Sequence, residues 1–408
     1  RHEPGEHASA SLITLPHAYI IPGGRFREIY YWDSYFTALG LHIDNEHELV
    51  KDMLNNFVYL QQKVGLIPNG NRSYYRTRSQ PPVLALFVSL ACSPREASNY
   101  INALEQEYTF WMGGQESLSE HQCAVNRVVS MPDGSVLNRY YDSSATPRPE
   151  SYKEDVHLAS SLPEHKRPEF YREIRAACES GWDFSARWLG DDASLASLRT
   201  SSIVPVDLNC LLYMLEDKLA ELHARSDKQK SDWYKSQAEK RMQAIQTWCW
   251  NDDEGCYVDY DLSLGQPSRV VSAAMMLPLF SKIATQGQAD KVTEILVGKL
   301  LKSGGVVTSL RETGQQWDEP NGWAPLQWFA FIGLKNYGFN RIAREVAKRW
   351  LDCTTQYFDR HQVMLEKYNV CEPDQQAGGG EYDVQLGFGW TNGVSRAFHH
   401  WLYEKQKE

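Results

Sequence analysis

The sequence has no long hydrophobic run. Its most apolar stretch, Val83 to Cys92, is interrupted by Ser89 and falls far short of the roughly 20 residues a membrane-spanning helix needs, so no transmembrane helix is expected. There is no basic excess either. Lys and Arg number 42 against 52 Asp and Glu, for a net charge of −10, which argues against a nucleic-acid partner or an anionic membrane surface, since phosphates demand clustered cations. No Cys-x-x-Cys pair occurs among Cys92, Cys123, Cys178, Cys210, Cys249, Cys256, Cys353 and Cys371, so reduced thiols are expected rather than a disulfide framework. Metal and cofactor signatures are missing as well. The twelve His include the neighbours His399-His400 but no His-Glu-x-x-His, Asp252-Asp253-Glu254 reads as an acidic turn, and Gly23-Gly24 and Gly378 to Gly380 lack the strand-then-helix setting of a nucleotide fingerprint. No metal and no cofactor is expected. No basic-then-apolar leader precedes the body of the chain, which opens on Arg1 without Met. With the scattered thiols this favours a cytoplasmic location, a periplasmic or secreted one being the alternative.

Aromatic residues, by contrast, are abundant: 13 Trp, 22 Tyr and 14 Phe make up 12% of 408 residues. Rings in such number serve packing, or a site facing the apolar faces of sugars. The periodicity is mainly helical. Leu49, Met53, Leu54, Phe57, Val58 and Leu60 form one stripe, with Asp44 as its expected cap. Ser93-Pro94-Arg95-Glu96 is a capping box ahead of Tyr100, Ile101, Leu104, Tyr108 and Trp111. Asp207 to Arg225 and Ser231 to Trp248 read as a helical pair, and further helical segments run from Ser272 to Gln286, Ala289 to Lys302, Ala324 to Tyr337 and Asn340 to Phe358. Gly255 to Asp261 and Gly304 to Leu310 are β-like. Stacked helical hairpins are expected, open or closed into a ring, without a fixed-period repeat. No linker divides the chain, so residues 1–408 are read as a single catalytic domain acting as a monomer.

Five long loops stand out: Pro22 to Tyr35, Pro68 to Pro82, Asp142 to Asp155, Gln315 to Gln327 and Gln375 to Asn392. Loops of such length in a compact domain are functional or disordered, and their Trp, Tyr, Arg and Gly content speaks for function. Asn69-Gly70-Asn71-Arg72-Ser73-Tyr74-Tyr75-Arg76-Thr77-Arg78-Ser79-Gln80 is dense in planar donors and rings, as a polyhydroxylated ligand demands. Its Asn71-Arg72-Ser73 triplet fits N-glycosylation but is read as unused.

Three stretches carry a specific resemblance. They are Pro22-Gly23-Gly24-Arg25-Phe26-Arg27-Glu28-Ile29-Tyr30-Tyr31-Trp32-Asp33, then Gln316-Trp317-Asp318-Glu319-Pro320-Asn321-Gly322-Trp323-Ala324-Pro325, and the glycine-rich run from Gly378 to Val394. Together they resemble the signatures of the trehalase family of glycoside hydrolases, from about Leu15 to Leu402. The resemblance implies an all-α fold, the (α/α)6 toroid of six helical hairpins, with its site at one mouth. It also implies hydrolysis of α,α-trehalose to two glucose molecules, with inversion and without a metal. Asp183, in Gly181-Trp182-Asp183-Phe184-Ser185, matches the family's general acid, and Glu366, in Glu366-Lys367-Tyr368-Asn369, its general base. Substrate contacts carry over to Arg25, Trp32, Asp33, Asn69, Arg78, Gln80, Arg148, Glu150, Gly181 and Glu381. Family chains carry a further segment ahead of the first signature, so this chain is read as truncated at its N-terminus.

Read locally, Asp183 is equally a helix cap and Glu366 a surface partner of Lys367. Arg25, Arg78 and Arg148 could be ordinary ion-pair partners, and Trp317 core. If the resemblance holds, Asp183 must keep its proton near neutral pH, desolvated by rings such as Trp182 and Trp188 or repelled by another carboxylate. The Gly378 to Gly380 run would hinge a lid. Two alternatives stand beside a trehalase: a toroidal glycosidase for another α-glucoside, and an inactive sugar-binding sensor.

Overall fold

Burial along the helices sorts them into two layers. In the computed structural model, which describes residues 11–190 and 194–405, the helix Tyr31–Ile43 buries every residue from Tyr31 to Gly40. Ala324–Asn336 is nearly as enclosed. A helix apolar all round must be surrounded by others. Lys228–Trp248 instead buries only Tyr234, Ala238, Arg241, Ala244 and Ile245, and Asn340–His361 a similar single stripe. Those spacings cover one face and leave the other wet.

The enclosed helices form a closed ring. Tyr31–Ile43 packs on Leu84–Ala91, which packs on Val206–His223, then Leu277–Phe280, Ala324–Asn336 and Gly389–His399, and the last returns to the first. This is the inner wall of an (α/α)6 toroid. One-faced helices back it, among them His47–Val64, Ile101–Met112, Gln286–Ile295 and the two named above. The seam where the ring closes is made of glycine. A Cβ on Gly393 would lie 2.2 Å from the Phe36 carbonyl oxygen and one on Gly40 2.8 Å from the Gly393 Cα, so any larger residue forces the first and last helices apart.

Small antiparallel sheets lie in the connections. The pair that matters for the site joins Asn321–Trp323 to Lys367–Asn369, with Trp323 opposite Lys367. Cys256–Tyr257 and Tyr260–Asp261 fall in the expected β-like stretch, and Gly305–Val306 in the other. A three-stranded meander from Ala124 to Asn138 was not anticipated.

Several expected boundaries shift. Asp44 does not cap the second helix, which begins at His47. It ends the first one, its N–H donating to the Gly40 carbonyl while its carboxylate takes Arg396 at 2.7 Å. The segment from Ser272 closes early, at Phe280, because Lys282 takes φ 61° and turns the chain. The next helix starts at Gln286, three residues sooner than expected, on a Thr285/Gln288 capping box, and widens to a π-turn after Ile295. Helical structure also enters four of the long loops, from Tyr31, Tyr152, Ala324 and Gly389, and the fifth holds a 3₁₀ turn at Ser73–Tyr75. The Ser93/Glu96 capping box is formed as expected. Asn71 is fully buried, accepting from Ile29 N and donating to Ile13 O, so a glycan has no access to it. Among the described residues no helix is long and apolar enough to cross a membrane.

Candidate active site

The five loops converge where the inner helices begin. Trp32 and Asp33 sit in the first turn of Tyr31–Ile43, Trp390 in that of Gly389–His399, and Trp323 just ahead of Ala324–Asn336. Between them lies a cavity of about 300 Å³, at the small end of the ~300–1,000 Å³ range of small-molecule sites. All twelve residues singled out from the sequence line it: Arg25, Trp32, Asp33, Asn69, Arg78, Gln80, Arg148, Glu150, Gly181, Asp183, Glu366 and Glu381.

The loop carrying Asp183 follows the helix Arg167–Glu179. Ser180 ends that helix and accepts the Trp182 N–H at 3.0 Å. Gly181 turns the chain with φ 74°, and a Cβ there would stand 2.8 Å from the Trp32 ring. Gly181 thus both follows the helix end and lines the cavity. Beyond Asp183 the loop is pinned from below: Ser185 Oγ and Ala186 N donate to Asp318 at 3.1 and 2.8 Å, and Trp317 N donates to the Phe184 carbonyl at 3.0 Å. Burial lifts the Asp318 carboxyl to about 6, against hydrogen bonds from Ser309, Thr313, Ala186 and Ser185.

Glu366 ends the chain's approach to the Lys367–Asn369 strand. Its N–H donates to the Gln385 carbonyl at 3.0 Å, and its own carbonyl accepts Trp390 Nε1 at 2.8 Å. The side chain is fully buried, not on the surface. Oε1 accepts Lys367 Nζ at 3.0 Å, and Oε2 has no hydrogen-bond partner among the described residues.

Two of the three arginines, Arg78 and Arg148, are paired with carboxylates. Arg148 donates to Asp155 through Nε and Nη2, and to Glu381 at 2.8 Å. Arg78 donates to Glu150 and lies 5.0 Å over the Tyr75 ring; its Nη1 stands 3.8 Å from Asp142 Oδ2 and has no hydrogen-bond acceptor among the described residues. Gln80 Oε1 accepts the Trp32 N–H at 3.0 Å, and Asn69 Nδ2 donates to the Cys178 carbonyl at 3.4 Å. Arg25 lies 5.1 Å over Tyr382. Trp317 is both core and lining, stacked 4.0 Å from Trp323 at 2° and 5.3 Å from Trp182 at 20°. Trp182, named above as a ring to desolvate Asp183, is buried behind this stack and does not line the cavity.

Burial raises three carboxyls of the site, Asp33, Asp183 and Glu366. Burial pushes Asp183 up to about 7, opposed by the Arg148 charge and reinforced by Glu381. Asp33 is lifted further, to about 8, by burial and by the charges of Asp183 and Glu366. Burial also raises Glu366, against the Lys367 ammonium and its hydrogen bond. One consequence concerns stability. Below pH 4 Asp33 is protonated folded or unfolded; between pH 4 and 8 the folded chain holds a proton the unfolded chain has released, so its contribution to stability declines as pH rises. Asp33→Asn is expected to melt increasingly above the wild type from pH 4 to pH 8, which parallel melting curves would check.

Sequence reasoning missed Cys178 and Tyr382 in the lining. Tyr382 adjoins Glu381 and was within reach of the signature. Cys178 offered no local signal, because its place against Arg148 Nη1, at 3.2 Å, follows from the helix end alone.

Comparison with known proteins agrees with this geometry. The family model described as Trehalase matches residues 2–402. The chain is 47% identical over 400 residues to the periplasmic trehalase of Pseudomonas aeruginosa, covering 97% of this chain and 73% of that protein. In structure it resembles the neutral trehalase of Saccharomyces cerevisiae, with a TM-score of 0.76 at 27% identity over 95% of this chain and 74% of the other. A mannosylglycerate hydrolase from Thermus thermophilus shares the fold, with a TM-score of 0.61 at 19% identity over 93% of this chain and 96% of that one. With its signatures gathered around one cavity and the family match spanning them all, the chain belongs to the trehalase family of glycoside hydrolases.

Proposed function

We propose that this chain hydrolyses α,α-trehalose to two glucose molecules with inversion, Asp183 serving as general acid and Glu366 as general base. The observation that carries the assignment is the asymmetry of the two carboxyls. Asp183 sits at about 7, where it still holds a proton near neutrality. Glu366 has one oxygen fixed by an ammonium and the other, Oε2, unpaired and buried at a cavity wall. A protonated carboxyl can deliver its proton to the glycosidic oxygen as the C1–O bond breaks. The free oxygen of a carboxylate can take a proton from water as that water bonds to C1 from the opposite ring face. Such an arrangement needs the carboxyls roughly 6.5–9.5 Å apart, leaving room for the water.

The remaining lining suits a neutral polyol. Arg78, Arg148, Asn69 and Gln80 supply donors, and Trp32, Tyr75 and Trp390 supply faces for C–H surfaces. In this reading the Gly378–Gly380 hinge brings Glu381 onto Arg148 and Tyr382 over the cavity, excluding water. Residues 1–408 act as one catalytic unit, a reading supported by a core continuous from Ile13 to Leu402, and as a monomer. The cytoplasmic expectation finds no support in the relatives. The Pseudomonas aeruginosa protein is named as periplasmic, and we assign this chain to the periplasm. All eight cysteines are free thiols, five of them buried.

Assays on trehalose, maltose and isomaltose side by side test the substrate. Turnover of trehalose alone, or of trehalose far above the others, is expected; preference for another α-glucoside overturns the assignment. The pH profile tests the roles. Activity should fall on the alkaline side as Asp183 loses its proton near pH 7 and on the acid side as Glu366 gains one. Glu381→Gln removes a charge that raises Asp183 and frees Arg148 to lower it, so the alkaline limb should move to lower pH.

A further inference from the structure

Two side chains behind the cavity wall tie the acid to the base. Gln316 is buried, with 1% of its surface exposed, and Lys367 is wholly enclosed; neither lines the cavity. Gln316 Nε2 donates to the main-chain carbonyl of Asp183 at 2.5 Å, and Gln316 Oε1 accepts Lys367 Nζ at 2.7 Å. Lys367 Nζ in turn donates to Glu366 Oε1 at 3.0 Å. The ammonium finds the rest of its surroundings in the rings of Trp323, at 5.1 Å, and Tyr382, at 5.3 Å. An unbroken polar chain thus runs from the backbone of Asp183 through one amide and one ammonium to the carboxylate of Glu366.

Each link is dictated by chemistry. A primary amide can donate to a carbonyl through its nitrogen and accept from an ammonium through its oxygen at once. Lys367 could not be buried without acceptors, because an enclosed charge must be paired. Gln316 itself is held by its neighbours: its main-chain carbonyl accepts Asn321 Nδ2 and Trp323 Nε1, both at 3.0 Å. It also reaches the lid, since Nε2 lies 3.4 Å from the Tyr382 hydroxyl and a Cβ on Gly380 would meet its side chain at 2.9 Å. The lid, the acid loop and the base strand therefore meet on one amide.

We propose that Gln316 is a positioning residue which, through Lys367, fixes the placement of the acid carboxyl relative to the base carboxylate. The inference rests on the assignment of Asp183 and Glu366 made above. Inversion leaves little tolerance, because the water must fit between the base and C1 while the acid still reaches the glycosidic oxygen; a misplacement of ~1 Å costs about 10²-fold in rate.

The test is Gln316→Met, which conserves volume and removes both polar links, assayed beside Lys367→Met and the two carboxylate variants. Gln316→Met is expected to lower kcat about 10²-fold with KM within about threefold of the wild type, and to move the acid limb of the pH profile upward as Lys367 loosens its hold on Glu366. Lys367→Met should move that limb further in the same direction. An unchanged kcat, or a loss confined to KM with the acid limb unmoved, overturns the proposal. Should Gln316→Met fail to fold, Gln316→Glu carries the test: it keeps an acceptor for Lys367 but loses the donor to Asp183, so kcat must still fall, and a wild-type kcat overturns the proposal. Near-normal activity in Asp183→Asn or Glu366→Gln would instead sink the underlying assignment, whatever the Gln316 variants do.

Discussion

Asp183→Asn and Glu366→Gln are each expected to lower kcat on trehalose by about 10²–10⁴-fold, the usual worth of a general acid or base, while the protein stays folded and still binds the disaccharide. Both substitutions are isosteric, so the loss reports the proton and not the packing. The amide of Asp183→Asn has no proton to give at any pH, and the alkaline limb near pH 7 should vanish with it, whatever residual activity remains. Glu366→Gln leaves Lys367 a carbonyl acceptor in place of Oε1 but no basic oxygen toward the cavity. In Asp183→Asn stability should move the other way: burial lifts that carboxyl to about 7, so the neutral amide relieves a desolvation cost at neutral pH. Glu366→Gln, by contrast, removes the carboxylate partner of the buried Lys367 ammonium and should lower the melting temperature. Activity falling in Asp183→Asn while its melting temperature holds or rises is the signature of a catalytic group. Near-normal activity in either variant would remove that residue from the chemistry.

Arg187→Met is expected to be the most damaging single substitution to the fold. Arg187 is 1% exposed and meets two carboxylates in bidentate fashion, Asp207 and Asp259, with four hydrogen bonds of 2.8 Å each. Its guanidinium lies 4.3 Å from the Trp182 ring and 4.5 Å from that of Trp188. Removing the cation leaves two buried carboxylates with one backbone N–H each, from Leu208 and Val206, but no counter-charge, and breaking a buried pair from one side costs roughly 3–5 kcal/mol. The damage is local to function as well, because Trp182 immediately precedes Asp183 and its carbonyl accepts Trp188 Nε1 at 3.0 Å. Denaturant unfolding of Arg187→Met should show a much lower midpoint, and Asp207→Asn in the same background should recover part of it by removing one stranded charge. A midpoint close to the wild type would show that the cluster carries no such load.

The helical framework was legible wherever a cap and a one-faced stripe coincide. Asn340–His361 and Lys228–Trp248 are outer helices whose 3.6-residue pattern is written in the sequence, and the Ser93/Glu96 box fixed a start. Enclosed helices were harder to read. Tyr31–Ile43 is buried nearly all round, so it shows no stripe and was taken for loop as far as Tyr35. Ring closure is equally silent, since nothing local links Gly40 to Gly393 although their backbones touch.

For the site the order is reversed. Its residues were found through short signatures, not periodicity, and the cavity gathers all of them. Local pattern alone left Asp183 a cap and Glu366 a surface charge, because neither burial nor the 183-residue separation between them can be seen along the chain. What no motif disclosed is the wiring. Arg148 as partner of both Asp155 and Glu381, Arg187 beneath the Trp182 ring, and Gln316 between Asp183 and Lys367 are all pairings that the chain's local pattern does not announce.

The most direct measurement is the anomeric composition of fresh product, followed by proton NMR before mutarotation sets in. Both anomeric carbons of trehalose are α. Water delivered by Glu366 to the far face of one of them releases that glucose as β, while the glucose that leaves through the oxygen protonated by Asp183 keeps its α configuration. Equal α- and β-glucose at the earliest times is the predicted result. Product that begins as α-glucose alone would mean retention, and would contradict an acid and base acting from opposite faces.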